Sequence, residues 1–457
     1  MSKFDAIIVG AGQAGPSLAG RLTATGRKVA MIERKLFGGT CVNTGCIPTK
    51  TLVASAYVAH KARIAAEYGI NAGPVTVDMK AVKARKDQIS GKSRTGVEGW
   101  LRGMENCAVY TGHARFESAH EIRVGDDLLS ADQIFLNVGG RANVPDMPGV
   151  DTVPFLTNVG ILQLETLPRH LIIVGGSYIG LEFAQIYRRF GSEVTVVEMG
   201  PRLVQHEDED VSSTIKSFLE KEGINFRLNA KCIHLESHGS DVAVGVDCED
   251  DASPSVGSHI LLAVGRRPNT DDLALELAGV QTDERGYINV DDQLRTNVSG
   301  IWAIGDCNGK GAFTHTSYND FEIVAANLLD NDPRRVSDRI SAHCLYTDPP
   351  LGRAGMTERE VRASGKPALI GTRAMTRVGR AYEKGETEGF LKILVDAESK
   401  SILGASLLGT GCDEVIHCIL DVMYAKKPYT TISRAMHIHP TVSELIPTVL
   451  QDLKPLS

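Results

Sequence analysis

No stretch of this chain is apolar for long enough to cross a bilayer, and no block of lysine and arginine stands out along it. Its clearest apolar runs, residues 171–174 and 260–264, fall far short of the ~20 residues that a membrane helix needs. With a formal net charge of -7 the chain offers no concentrated basic face for nucleic acid. A secretion signal is missing too: Lys3-Phe4-Asp5 leads straight into Ala6-Ile7-Ile8-Val9 and a glycine turn, with no small-residue cleavage site. A cytoplasmic protein is expected, with neither membrane nor nucleic acid as a partner. Nine cysteines form no disulfide framework, because seven are scattered singly: Cys107, Cys232, Cys248, Cys307, Cys344, Cys412 and Cys418. These are expected to be buried small hydrophobes or idle thiols. Cys41 and Cys46 alone stand close together, and no second pair at metal-ligand spacing accompanies them, so no metal site is expected.

What is present is a pattern written twice. Ile7-Ile8-Val9 runs into Gly10, Gly12 and Gly15 in G-x-G-x-x-G spacing, then into an apolar helix and a second strand, residues 29–32, that ends at Glu33. Such glycines allow a tight turn and bring a pyrophosphate onto a helix N-terminus, and the acidic residue bonds a ribose hydroxyl. Leu171-Ile172-Ile173-Val174 repeats the design with Gly175, Ser177, Gly180 and, after a strand at 194–197, Glu198. Gly10 with Gly175, Gly15 with Gly180, Ala19 with Ala184, Gly26 with Gly191 and Glu33 with Glu198 are all 165 residues apart. Two dinucleotide sites are expected. Ser177 stands where the first copy has Gly12, so its side chain must point away from the pyrophosphate.

Two further segments suit a flavin at the first site. Residues 134–138 form an apolar strand breaking into Gly139 and Gly140, and residues 301–304 form another that reaches Gly305 and Asp306. An acidic residue there lies at a strand's carboxyl end, where open α/β sheets bind ligands. Gly265 to Asn269 reads as the exit from an inserted second domain. Beyond about Asp332 alternating strands such as 389–395 meet helices such as 413–424, with no further glycine turn. The expected fold is α/β: two Rossmann-like dinucleotide-binding domains plus a C-terminal α+β dimerisation domain. The expected boundaries are 1–150 with 265–332 for FAD, 151–264 for NAD(P), and 333–457 for the interface.

The chemistry is expected in Gly38-Gly39-Thr40-Cys41-Val42-Asn43-Thr44-Gly45-Cys46-Ile47-Pro48-Thr49-Lys50. Cysteines five positions apart can be bridged across a helical turn if the backbone adjusts. A helix N-terminus and a nearby cation would lower their pKa values and make them exchange-competent. Far downstream lies His437-Ile438-His439-Pro440-Thr441-Val442-Ser443-Glu444. A histidine oriented by a carboxylate handles protons near neutral pH, but Thr441-x-x-Glu444 is equally a capping box at a helix start.

On these motifs the chain resembles, over nearly its whole length, the class I pyridine nucleotide–disulfide oxidoreductases: lipoamide dehydrogenase, glutathione reductase, mercuric reductase and their relatives. The resemblance implies FAD at the first site and a nicotinamide nucleotide at the second. It implies that Cys46 lies against the flavin as the charge-transfer thiolate and that Cys41 attacks the substrate. Lys50 and Glu182 would form the ion pair beside the flavin N5, Tyr178 the lid over the nicotinamide pocket, and Asp306 the contact to the ribityl chain. Gly39, Thr40, Gly139 and Gly265 join the expected cofactor contacts. His439 and Glu444 would be an acid–base pair supplied by the second subunit of a homodimer, often beside a cis His-Pro bond.

Within the family, His439 and the cysteine-free tail from Leu450 to Ser457 argue against a mercuric reductase. Glu198 stands where a 2′-phosphate would lie, so NAD is expected rather than NADP. Lipoamide dehydrogenase is the nearest named activity, acting on a lipoyl-type or other small disulfide. Val42, Thr44 and Thr49 depart from its usual segment, toward bacterial relatives that include a reactive-chlorine-resistance flavoprotein. The alternatives are a reductase of another disulfide, metal ion or oxidant, and a flavin oxidase or quinone reductase with spectator cysteines.

Overall fold

A computed structural model describes residues 1–246 and 253–456. Its first sheet is wholly parallel, in the order Ile301–Ala303, Gln133–Leu136, Ala6–Val9, Val29–Glu33, Cys107–Thr111. The strands are short and apolar because both faces are covered. Ala6, Ile8, Met31 and Phe135 pack against Leu18 and Leu22 of helix Gly15–Ala24 and against Phe321 and Val324 of helix Thr314–Ala325. The alternate residues Ile7, Val9, Ile32 and Leu136 face Phe116, Ile122 and Leu129 of a small antiparallel layer.

The second sheet repeats this construction. Ile224–Arg227, Glu193–Val197, His170–Val174 and His259–Leu262 are parallel. Leu171, Ile173, Val194 and Val196 face helices Tyr178–Phe190 and Glu209–Lys221, while Ile172, Val174 and Val197 face the antiparallel strand Asp241–Val246. The equivalence reaches single bonds: Gly10 N–H donates to the Ile32 carbonyl at 2.8 Å, and Gly175 N–H to the Val197 carbonyl at 2.8 Å.

The third unit is a six-stranded antiparallel sheet, Ala342–Leu345, Leu351–Gly355, Ile402–Leu408, Phe390–Asp396, Ala368–Ala374 and Lys454–Pro455, covered by helix Cys412–Tyr424. The expected α/β class with an α+β C-terminal part is therefore what the chain adopts. No helix among the described residues is long and apolar enough to cross a membrane. One cysteine departs from expectation: Cys232 is disulfide-bonded rather than single. Cys248 lies outside the described residues, and Cys107, Cys307, Cys344, Cys412 and Cys418 are free and at least half-buried.

Candidate active site

The two glycine turns are built alike because the backbone leaves no alternative. Gly10 has φ +105° and Gly175 φ +113°, and a Cβ on either would lie 2.3 or 2.4 Å from a carbonyl oxygen, of Asn137 or Ala263. Only glycine tolerates that conformation and that approach. Glu33 accepts the N–H groups of Ala11 and Lys35 at 2.9 and 2.8 Å, and Glu198 those of Gly176 and Gly200 at 2.6 and 2.8 Å. Each carboxylate thus pins its own turn and keeps lone pairs for a ribose hydroxyl. Ser177 is exposed on an extended backbone (φ −104°, ψ −172°), which serine adopts freely. Asn137, a polar residue at the end of a buried strand, accepts Gly15 N–H at 3.0 Å and donates to the Ile304 carbonyl at 3.1 Å. It ties the first turn to the strand that leads to Asp306.

The residues present fit a dinucleotide in each cradle. Gly139 (φ +65°) and Gly265 (φ +99°) open onto space that an added Cβ would enter without meeting an atom within 4 Å. Asp306 is raised in pKa by burial, with the Arg266 guanidinium 3.6 Å away as a modest offset. A carboxyl group still 24 % exposed just beyond a strand's carboxyl end suits a ligand hydroxyl.

The cysteine segment starts on the first turn: Gly38 N–H donates to the Ala11 carbonyl at 2.8 Å, and a Cβ on Gly39 would lie 2.9 Å from Gly12 Cα. Cys41 sits in the short helix Gly39–Asn43 and Cys46 opens the long helix Cys46–Arg63. The pair therefore spans a break between two helices, not one continuous turn. Gly45, at φ −139° and ψ −116°, makes the break, and Asn158 secures it by donating to the Thr44 carbonyl at 2.7 Å. The consequence is electrostatic, since Cys46 lies at a helix N-terminus, where unpaired N–H groups favour a negative charge.

The Cys41 and Cys46 sulfurs stand within hydrogen-bond reach of each other. The bond between them splits their behaviour. Accepting from the Cys41 thiol, with smaller help from Thr314 and Lys50, brings Cys46 down to about 6 from the usual 9.0. The same bond, with burial, pushes Cys41 up. Thr314 was not anticipated from the sequence; its hydroxyl lies 3.1 Å from Cys46 Sγ.

Lys50 lies one turn beyond Cys46 and reaches Glu182, with Nζ 2.7 and 2.8 Å from the two carboxylate oxygens. Glu182, only 6 % exposed, also accepts Tyr346 N–H at 3.1 Å. Helix Tyr178–Phe190 carries Glu182 and, one turn earlier, Tyr178 at its first position. The second glycine turn and the dithiol thus share one site. Tyr178 donates to Glu207 at 2.8 Å and lies 3.0 Å from His343 Nε2; neither partner was singled out from the sequence.

His439 and Glu444 meet, with Nδ1 3.0 and 3.1 Å from the carboxylate oxygens. The His439–Pro440 bond is cis and the ring is 80 % exposed. Thr441 Oγ1 accepts Glu444 N–H at 3.2 Å, so half of the capping box forms while the Glu444 carboxylate turns to the histidine.

Residues 4–320 match the family model of the pyridine nucleotide-disulphide oxidoreductases, and residues 341–450 match the dimerisation domain of the same family. The chain is 36% identical to the probable pyridine nucleotide-disulfide oxidoreductase RclA of Escherichia coli, over 97% of this chain and 98% of that one. It is 32% identical to a dihydrolipoyl dehydrogenase of Thermus scotoductus, over 97% of this chain and 96% of the relative. Among solved structures it resembles the HOCl-induced flavoprotein disulfide reductase RclA from Escherichia coli, with TM-score 0.90 at 35% identity over 98% and 100% of the two chains. A Cu(II) complex of that protein matches equally, with TM-score 0.90. Two nucleotide cradles converging on one polarised dithiol, in a chain matched almost end to end, make this a member of the pyridine nucleotide-disulfide oxidoreductases, an FAD- and NAD(P)-dependent flavoprotein enzyme.

Proposed function

We propose that the chain takes electrons from NADH and passes them through Cys46 and Cys41 to a disulfide substrate, working as a homodimer. The observation that carries this is the asymmetry of the dithiol: Cys46 opens helix Cys46–Arg63 with the Thr314 hydroxyl 3.1 Å from its sulfur, which favours its thiolate, while the bond to Cys46 and burial hold the proton on Cys41. A relay needs such a division, with one sulfur held charged in place and the other released for exchange only when a base removes its proton.

Residues 1–150 and 265–332 are assigned to the FAD domain, 151–264 to the NAD domain and 333–457 to the interface. Gly10, Gly12, Gly15, Glu33, Gly39, Thr40, Lys50, Gly139 and Asp306 would hold FAD, which when bound supplies two-electron transfer between nicotinamide and dithiol. Gly175, Ser177, Gly180, Glu198 and Gly265 would hold the nicotinamide nucleotide, with Tyr178 as the lid over its nicotinamide pocket. Glu198 disfavours a 2′-phosphate, and Arg202, four residues on, is already donating to the Gln205 carbonyl at 3.0 Å. Lys50 and Glu182 fix charge where the second helix meets the dithiol. The partner subunit's His439, oriented by its own Glu444, would accept the Cys41 proton.

A dihydrolipoyl substrate is the leading reading. A second is favoured by the 36% identity to RclA, against 32% to the Thermus dihydrolipoyl dehydrogenase. RclA has been solved as a Cu(II) complex, and the second reading is accordingly the reduction of a metal ion or other oxidant. The deciding experiment is steady-state turnover with NADH and NADPH against lipoamide, glutathione disulfide, cupric and mercuric ions. Higher kcat/KM with NADH and loss of disulfide turnover in C41S are expected. Quinone reduction as the only turnover, unchanged in C41S, would make the cysteines spectators.

A further inference from the structure

Tyr178 begins a helix at the second glycine turn, one helical turn before Glu182 and its Lys50 partner. Its hydroxyl is not free. It donates to Glu207 Oε1 at 2.8 Å, and His343 Nε2 lies 2.9 Å from the same oxygen and 3.0 Å from the tyrosine oxygen, closing a triangle. Glu207 is 1 % exposed, and the Arg353 guanidinium nitrogen Nε stands 3.3 Å from its other oxygen. Burial works against the charge on Glu207, but the bond from His343 and the Arg353 charge hold its pKa below the ordinary carboxylate value. Phe313 stacks on His343 with centroids 5.4 Å apart and planes 2° apart, fixing the imidazole edge toward the triangle. Thr314, the next residue, is the one bonded to Cys46.

We propose that Glu207 is a latch for the Tyr178 ring, and that His343 is the positioning residue that keeps Glu207 bonded when the ring swings out. The proposal rests on Tyr178 being the lid of the nicotinamide pocket. A tyrosine held only by packing could leave at small cost, whereas one bonded to a buried carboxylate must break a charge-assisted hydrogen bond. The carboxylate it leaves would be short of a donor, except that the His343 N–H already reaches the same oxygen. Glu207 thus favours the closed ring, and His343 lowers the cost of opening. A ligand whose pocket is open in only a fraction of molecules binds more weakly by that fraction.

The test is calorimetric binding of NAD and of ADP-ribose, which lacks the nicotinamide, to the oxidised FAD-loaded protein. ADP-ribose affinity should be unchanged in every variant. Y178A, which removes the lid, should tighten NAD binding, and Y178F, which keeps the ring but cuts the latch, should tighten it by about two- to tenfold. H343A should weaken NAD binding by a similar factor, because opening then strands Glu207, and H343Q, which restores an N–H donor, should return toward wild type. Tighter NAD binding in Y178A with wild-type affinity in Y178F overturns the latch, because the hydroxyl then holds nothing. Equal shifts of NAD and ADP-ribose in H343A overturn the role of His343, and should H343A fail to fold, H343Q and Y178F decide the matter. A Y178A variant with unchanged NAD and ADP-ribose affinities removes the lid itself, and the latch falls with it.

Discussion

The Cys46 sulfur is acidic because several weak donors converge on it. The largest contribution is the Cys41 thiol; Thr314 and Lys50 follow. With its pKa lowered, Cys46 stays a thiolate to lower pH than an ordinary thiol and loses nucleophilicity as the pH falls. Replacing Thr314 by valine removes one donor without changing the shape of the site, so the pH midpoint for alkylation of the reduced protein by iodoacetamide should rise by about one unit. T314S should stay near wild type; an unshifted T314V midpoint would leave the 3.1 Å contact without consequence. The division of labour between the sulfurs has its own optical test. A thiolate against oxidised flavin gives long-wavelength absorbance, so C41S should show that band without prior reduction and C46S should lack it. The reverse pattern exchanges their roles.

Where elements meet, charge decides what packing cannot. Lys392, on strand Phe390–Asp396, is 1 % exposed and bonded to Asp208 at 3.0 Å, Asp210 at 2.8 Å and Glu358 at 3.2 Å. The ammonium clamps the start of helix Glu209–Lys221, in the second nucleotide unit, to the C-terminal sheet. Burial works against the Asp208 charge, but the Glu358 N–H and Lys392 hold its pKa below the ordinary carboxylate value. K392M leaves the carboxylates facing one another and should cost about 3–5 kcal/mol, seen as a lower denaturation midpoint of the FAD-loaded protein. The gap to wild type should narrow as the pH falls, because the unpaired carboxylates of the variant protonate first. A K392M midpoint equal to wild type at pH 7 would mean that the clamp holds nothing.

At the scale of the whole molecule, the C-terminal unit presents a face that one chain leaves bare. Met436 is 99 % exposed and Ile438 80 %, and His439 beside them is held by Glu444 with its ring outward. Two large apolar side chains flanking an oriented imidazole suit a surface that a second copy covers, and residues 341–450 match the family's dimerisation domain. If each active site takes its histidine from the other chain, C41A and H439A homodimers should each be nearly inactive in disulfide exchange. Mixed dimers made by co-expression should regain activity, because one of their two sites then holds both wild-type residues. Mixed dimers no more active than their parents would assign the histidine to its own chain.

Much of this protein is legible in one dimension. The two turns are readable because Gly10 and Gly175 occupy backbone conformations closed to other residues, and such local constraints leave their mark on the sequence itself. The paired strands are equally plain, since burial on both faces selects unbroken apolar runs. Asn137 left a weaker trace, a polar residue in such a run, that could have marked it as the tie between strands. Thr314 and Cys46 are 268 residues apart and Glu207 and His343 136, and no local pattern ties either pair. The helix break at Gly45, which puts Cys46 at the start of the long helix, is likewise a product of contacts with the first turn and with Asn158. The sequence determined the two cradles and the dithiol between them, because backbone sterics and burial act on neighbours in the chain. Only the tertiary structure decided which groups surround the Cys46 sulfur and what holds Tyr178, because those bonds depend on groups that folding alone brings within 3 Å or so of each other.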